Sequence, residues 1–167
     1  KLCIFFLYRV VSNILSPPNN YNRLWEIIRT MSREKNLFNQ IKIALDKKTF
    51  IQRIENMASS GFPDCIIIID KLPLFVELKA PLKGNKIKLE KSQVSTHLRI
   101  SANNYVSFIL LRASSTRDLF LFDGNEVAKS VVLGQEQPSF MFRGTIIDCL
   151  QFANSEAMKR TLASFSL

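Results

Sequence analysis

Residues 61–79 read GFPDCIIIIDKLPLFVELK, and this stretch decides the fold. Its centre is two apolar runs, Cys65 to Ile69 and Leu74 to Leu78, separated by the turn residues Asp70-Lys71-Leu72-Pro73. Runs of this kind predict a β-hairpin, and the unbroken CIIII predicts a strand buried on both faces. Charge collects at the open end of that hairpin, with Asp64 before the first strand and Glu77 and Lys79 closing the second. Residues two apart on a strand leave the same face, so Glu77 and Lys79 stand side by side. With the turn centred between Lys71 and Leu72, Asp64 lies opposite Lys79 and diagonal to Glu77. Two carboxylates that close repel each other, and a hard divalent cation relieves the repulsion through carboxylate and carbonyl oxygens; magnesium fits best. Taken alone, Glu-Leu-Lys is an ordinary solvated strand end, and an Asp after Pro is an ordinary turn former. Here, however, the charged pair ends an apolar strand, where unpaired charge is expensive.

Toward the amino end, Ser32 predicts the cap of a helix whose Leu37, Phe38, Ile41 and Leu45 recur at helical spacing, with Glu34 in its first turn. Lys48 to Glu55 predicts a strand, and Ala58-Ser59-Ser60-Gly61 the loop after it. On the carboxyl side a basic loop, Lys83 to Lys88, leads into a helix over Leu89 to Ala102, with Asn103-Asn104 as a left-handed C-cap. Tyr105 to Arg112 and Asp118 to Phe122 predict two further strands, closed by Asp123-Gly124. The expected order is α-β-β-β-α-β-β, a single α/β domain with a mixed sheet flanked by helices. Residues 125–167 read as a helical appendage of that domain, with helices over Ile146 to Phe152 and Ala157 to Leu162. Residues 1–30 read as an amino-terminal extension: Leu2 to Leu15 is apolar, but Arg9 interrupts it and it is too short to span a bilayer. The plainer reading of this extension is a helix or strand packed on the domain; because Met31 stands just before the organised pattern, an extension upstream of the natural product is the alternative.

The chain has 167 residues, 47% of them hydrophobic and 22% charged, which suits one globular domain and excludes a disordered or fibrous chain. Lys and Arg number 23 against 14 Asp and Glu, and the net charge of +9 favours a polyanionic partner, a nucleic acid or an acidic membrane surface. Cys3, Cys65 and Cys149 are isolated and odd in number, which points to a reducing compartment. His97 is the only histidine, so a structural zinc cluster is not expected.

Pro63-Asp64 followed by Glu77-Leu78-Lys79, within that order of elements, resembles the PD-(D/E)xK nuclease superfamily and its restriction-endonuclease-like core. The form G-F-P-D, then V-E-L-K, then Gln93 on the next helix is most similar to the VRR-NUC group of small phage and bacterial nucleases. The resemblance covers about residues 31–124. It implies that Asp64 and Glu77 ligate magnesium, for which manganese can substitute. It also implies the Leu78 carbonyl as a further ligand, Lys79 as the residue that positions or activates the attacking water, and Glu34 as an acidic partner from the first helix. Gln93 and His97 are neighbours on one helical face. Related nucleases line the site there with a glutamine and an aromatic residue that touch the DNA, which implies Gln93 as a catalytic residue and His97 as a nucleic-acid contact, although a histidine departs from that pattern; the plain alternative is a surface histidine. Lys83, Lys86, Lys88 and Lys91 are expected to contact phosphates without reading sequence, and Arg99, Lys42, Lys47 and Lys48 extend the track.

The activity implied is a magnesium-dependent DNA endonuclease selective for structure, in the cytoplasm of a bacterium or phage-infected cell, without a membrane partner. Nucleases that cut both strands often pair as symmetric homodimers, although no interface is legible. A nucleic-acid-binding module that keeps the fold without the chemistry is the alternative. A membrane-surface or protein-binding domain leaves the conjunction of motifs unexplained.

Overall fold

In the computed structural model, residues 33–54 and 61–164 are described. Residues 33–44 form helix α1, followed by β1 (Phe50–Arg53), β2 (Cys65–Ile69) and β3 (Leu72–Lys79). Then come α2 (Lys91–Ala102), β4 (Ser107–Arg112), β5 (Leu119–Asp123), α3 (Gly124–Val132), β6 (Phe142–Gly144) and α4 (Ile146–Ser164). The fold is α/β: a six-stranded mixed sheet in the order β1-β2-β3-β4-β5-β6, flanked by four helices among the described residues. Among the described strands only the β3–β4 pair is parallel, because α2 carries the chain back over the sheet between them.

The β2–β3 hairpin turns at Asp70 and Lys71, whose φ angles of 49° and 69° are left-handed. A two-residue loop of this kind matches the twist of the flanking strands. It therefore centres the turn between Asp70 and Lys71, one residue earlier than the sequence reading, and β3 begins at Leu72 with Pro73 inside it.

The two faces of the sheet are covered unequally. Leu37, Phe38 and Ile41 of α1 and Cys149, Leu150, Ala153 and Ala157 of α4 bury one face with Cys65, Ile67, Leu74, Val76, Leu78, Phe108 and Leu110. Each such Leu or Ile, fully buried, stabilises by about 1.5–3 kcal/mol. On the other face a smaller cluster joins Ile109, Leu111 and Phe122 to Val127 of α3 and Ile87 of the β3–α2 loop. That cover does not extend to β2: Ile68 is 38% exposed and the strand alternates between buried and open positions, so CIIII is not buried on both faces.

The carboxyl-terminal region packs on the sheet as expected but is not wholly helical. It supplies the edge strand β6, and one unbroken helix α4 stands where two were expected. Asp123 accepts from the Asn125 and Glu126 amides at 2.8 and 3.1 Å and so starts α3 directly at the end of β5, where the sequence read only a closing turn. The expectations for residues 1–30, for Ser32 and for most of the loop before Gly61 lie outside the described residues.

Candidate active site at the end of the hairpin

The register Cys65↔Val76, carried one step further, sets Asp64 against Glu77 and not against Lys79. The Leu78 amide donates to Asp64 Oδ2 at 2.8 Å, which ties this carboxylate to the strand carrying the other two charged groups. Two packing contacts fix the approach to Asp64. The Phe62 ring meets Phe75 of β3 edge-on at 6.0 Å between centroids. Gly61, at φ +98°, lies so close to the first turn of α2 that an added Cβ would fall 2.4 Å from the Ser92 carbonyl carbon.

Glu77 is 1% exposed. Its Oε1 accepts from Lys79 Nζ at 2.7 Å and from the Gln93 side-chain amide. Gln93 Oε1 in turn accepts from Lys79 Nζ at 3.3 Å and from the Glu90 main-chain amide at 3.0 Å, so the glutamine that caps α2 also bridges the ion pair. Glu77 Oε2 is buried without a hydrogen-bond partner among the described residues.

Burial pushes the Glu77 carboxyl up to about 7; Lys79 works against that rise, while Asp64 and Glu34 add to it. Glu34 is likewise raised to about 7, by burial first, with Lys79 opposing and Asp64 adding to the rise. Asp64 is raised by burial, against the Leu78 amide and Lys79. Lys79 is raised although burial works to lower it, because Glu77, Glu34 and Asp64 together favour its ammonium. Thus Asp64, Glu77, Lys79 and Glu34 share one electrostatic neighbourhood, and Gln93 joins it by hydrogen bonds. Glu77 is buried and Asp64 and Glu34 are half-buried, so these three carboxylates share the Lys79 ammonium, with Arg53 also acting on Asp64 and Glu34.

Among the described residues no group of three or more His, Cys, Asp and Glu side chains is arranged to hold a metal ion. Magnesium, however, is commonly held by one or two carboxylates, with water and substrate phosphate completing the shell. Asp64 and Glu77, with the unspent Glu77 Oε2, are a donor set of that kind.

His97 does not join them. It is 1% exposed, with Nδ1 2.8 Å from the Ser107 hydroxyl and Nε2 buried without a partner among the described residues. Burial first, and then Lys79, lower its pKa to about 4. A side chain so enclosed contacts no nucleic acid, nor is it a surface histidine; both expectations give way to its packing under α3, where a Cβ on Gly124 would fall 2.5 Å from Nδ1. Ser107, polar at the head of the apolar run Phe108 to Leu111, was the one sequence signal for this contact.

Lys83, Lys86, Lys88 and Lys91 are exposed, as are Lys42, Lys47, Lys48 and Arg99. The loop bearing the first three is pinned: the Ile87 amide donates to Gln137 Oε1 at 2.7 Å, and the Gly84 amide to Ser114 Oγ at 3.0 Å. Among the described residues no helix is long and apolar enough to cross a membrane. No family model and no curated protein matches the chain.

Proposed function

We propose that the chain is a magnesium-dependent nuclease with a restriction-endonuclease-like core, a structure-selective DNA endonuclease similar to the VRR-NUC group and serving phage or bacterial recombination, repair or genome processing. The observation that carries this reading is Glu77: buried, bound through one oxygen to Lys79 and Gln93, and left with a second oxygen that no hydrogen bond among the described residues uses. A buried, unsatisfied carboxylate oxygen beside two further carboxylates is costly unless a cation takes it.

Asp64 and Glu77 would hold that cation, with the Leu78 carbonyl and Glu34 as the further donors the resemblance implies. When bound, it supplies a Lewis acid that polarises water and phosphate oxygens. Lys79, aimed by Glu77 and Gln93, adds a positive charge where the phosphate gains negative charge as the phosphodiester is hydrolysed. The pinned lysine loop holds the strand through its phosphates, which gives affinity without base readout.

The test is cleavage of end-labelled linear, flap and four-way-junction DNA by wild type and Glu77→Ala with magnesium, manganese or EDTA, together with melting curves in the same buffers. Cutting that needs the metal and Glu77, and a magnesium-induced rise in melting temperature absent from the variant, are the expected results. Salt-sensitive DNA binding with no cutting under any divalent ion overturns the reading in favour of an inactive binding module.

A further inference from the structure

Two arginines stand at the same end of the sheet as Glu77 and Lys79, outside the site described above. Arg33, directly before Glu34, donates to the Pro81 carbonyl at 2.7 Å. Arg112 ends β4 one residue past Leu111, the register partner of Lys79, and donates to Gln40 of α1. Strand alternation turns Arg112 to the α1 face, so the pair lies around the sheet's end from Lys79. Both side chains are half-buried, and Arg112 Nε is buried with no hydrogen-bond partner among the described residues.

Among the described residues neither guanidinium forms an ion pair with a carboxylate. Each repels the other: burial first, and then Arg33, lower the pKa of Arg112. Holding Gln40 and Pro81 needs only one N–H from each, and a neutral side chain would hold them without the repulsion. Two guanidiniums with unspent N–H groups match a phosphate, which accepts such donors in pairs.

We infer that Arg33 and Arg112 form a phosphate-binding subsite that holds the substrate strand at the end of the sheet that carries the Asp64 and Glu77 carboxylates. The assignment to a nucleic-acid strand rests on the nuclease reading. The ligand chemistry is a phosphate oxygen pair, which an internal phosphodiester and a terminal phosphate monoester both offer.

The experiment is fluorescence anisotropy in EDTA, with short 3′-labelled DNA strands carrying either a 5′-phosphate or a 5′-hydroxyl, across a series of salt concentrations. Arg33→Gln and Arg112→Gln are each expected to weaken binding roughly tenfold and to lower the salt slope by about one. Equal loss on both strands assigns an internal phosphate; loss confined to the phosphorylated strand assigns a terminal one. Wild-type affinity and salt slope in the variants, whatever their melting temperature, overturn the subsite and leave the arginines as struts for α1. If Arg112→Gln fails to fold, Arg33→Gln decides. Magnesium-dependent cutting by wild type is scored in parallel. Arginine-dependent binding without cutting overturns the nuclease reading alone, and cutting with unaltered binding in the variants overturns the subsite alone.

Discussion

The Asp64 carboxylate accepts the Leu78 main-chain amide at 2.8 Å, so the first carboxylate of the candidate site is locked to the strand that carries the second. Asp64→Asn keeps an oxygen for that hydrogen bond and removes the charge. If Asp64 serves as a cation ligand, the variant loses cleavage by at least about a hundredfold, as losses of charge stabilisation in active sites do. Its melting temperature should stay close to wild type, whereas Asp64→Ala should lose both. A nuclease assay beside a melting curve separates the two, and an active Asp64→Asn protein removes Asp64 from the metal site.

Gln93 spends its side chain twice, on the amide that opens α2 and on the Glu77–Lys79 pair. Gln93→Ala is expected to cost about 1–2 kcal/mol, the scale of a lost cap plus a lost buried hydrogen bond, read as a lower urea midpoint. Activity should fall further than stability explains, because Lys79 loses its second anchor. Unchanged cleavage at a temperature where the variant is fully folded would reduce Gln93 to a helix cap.

Gly61 faces Ser92 across a gap with no room for a side chain, at a φ of +98° that L residues rarely adopt. Gly61→Ala therefore meets both a backbone clash and local strain, and should destabilise by about 1–3 kcal/mol. Since Gly61 leads straight to Asp64, cleavage is expected to fall with it. A wild-type melting temperature would mean that this approach is looser than its contact with α2 indicates.

His97 is held down to about 4 by burial and by Lys79, with Asp123 pulling the other way, against an ordinary value of 6.5. As pH falls the unfolded chain takes up this proton first. The contribution of neutral His97 is thus fully present above pH 6.5 and is lost as pH falls through 4, a change on the order of 3 kcal/mol. Glu34 and Glu77, raised to about 7, act oppositely, since their folded forms gain protons first. The measurement is therefore a difference: urea midpoints at pH 7.5 and pH 4 for wild type and His97→Gln. The variant should lose less stability on acidification, and equal losses would show that His97 titrates in the fold near its ordinary value.

Local pattern carried a great deal here. Leu37, Phe38 and Ile41 at helical spacing, the two apolar runs of the hairpin, and the order of strands around α2 were all legible, because each is set by neighbours in sequence. The three-residue β6 was too short to show a period, and α3 was hidden by Asp123, which ends a strand and caps a helix in one step. Burial was the least legible property. CIIII reads as a fully enclosed strand, and its Ile68 is open only because no helix among the described residues covers that part of the sheet.

By itself, then, the sequence determined which charged residues meet at the hairpin's end, since strand periodicity and a short turn leave Asp64, Glu77 and Lys79 little choice of neighbours. Tertiary structure alone decided the remainder. A two-residue left-handed turn set the register that puts Asp64 against Glu77. The docking of α2 made Gln93 a bridge and enclosed His97. The packing of α1 against β4 brought Arg33 and Arg112 together across the chain. Side-chain reach and desolvation depend on which surfaces come into contact, and contacts between distant segments are written in no local pattern.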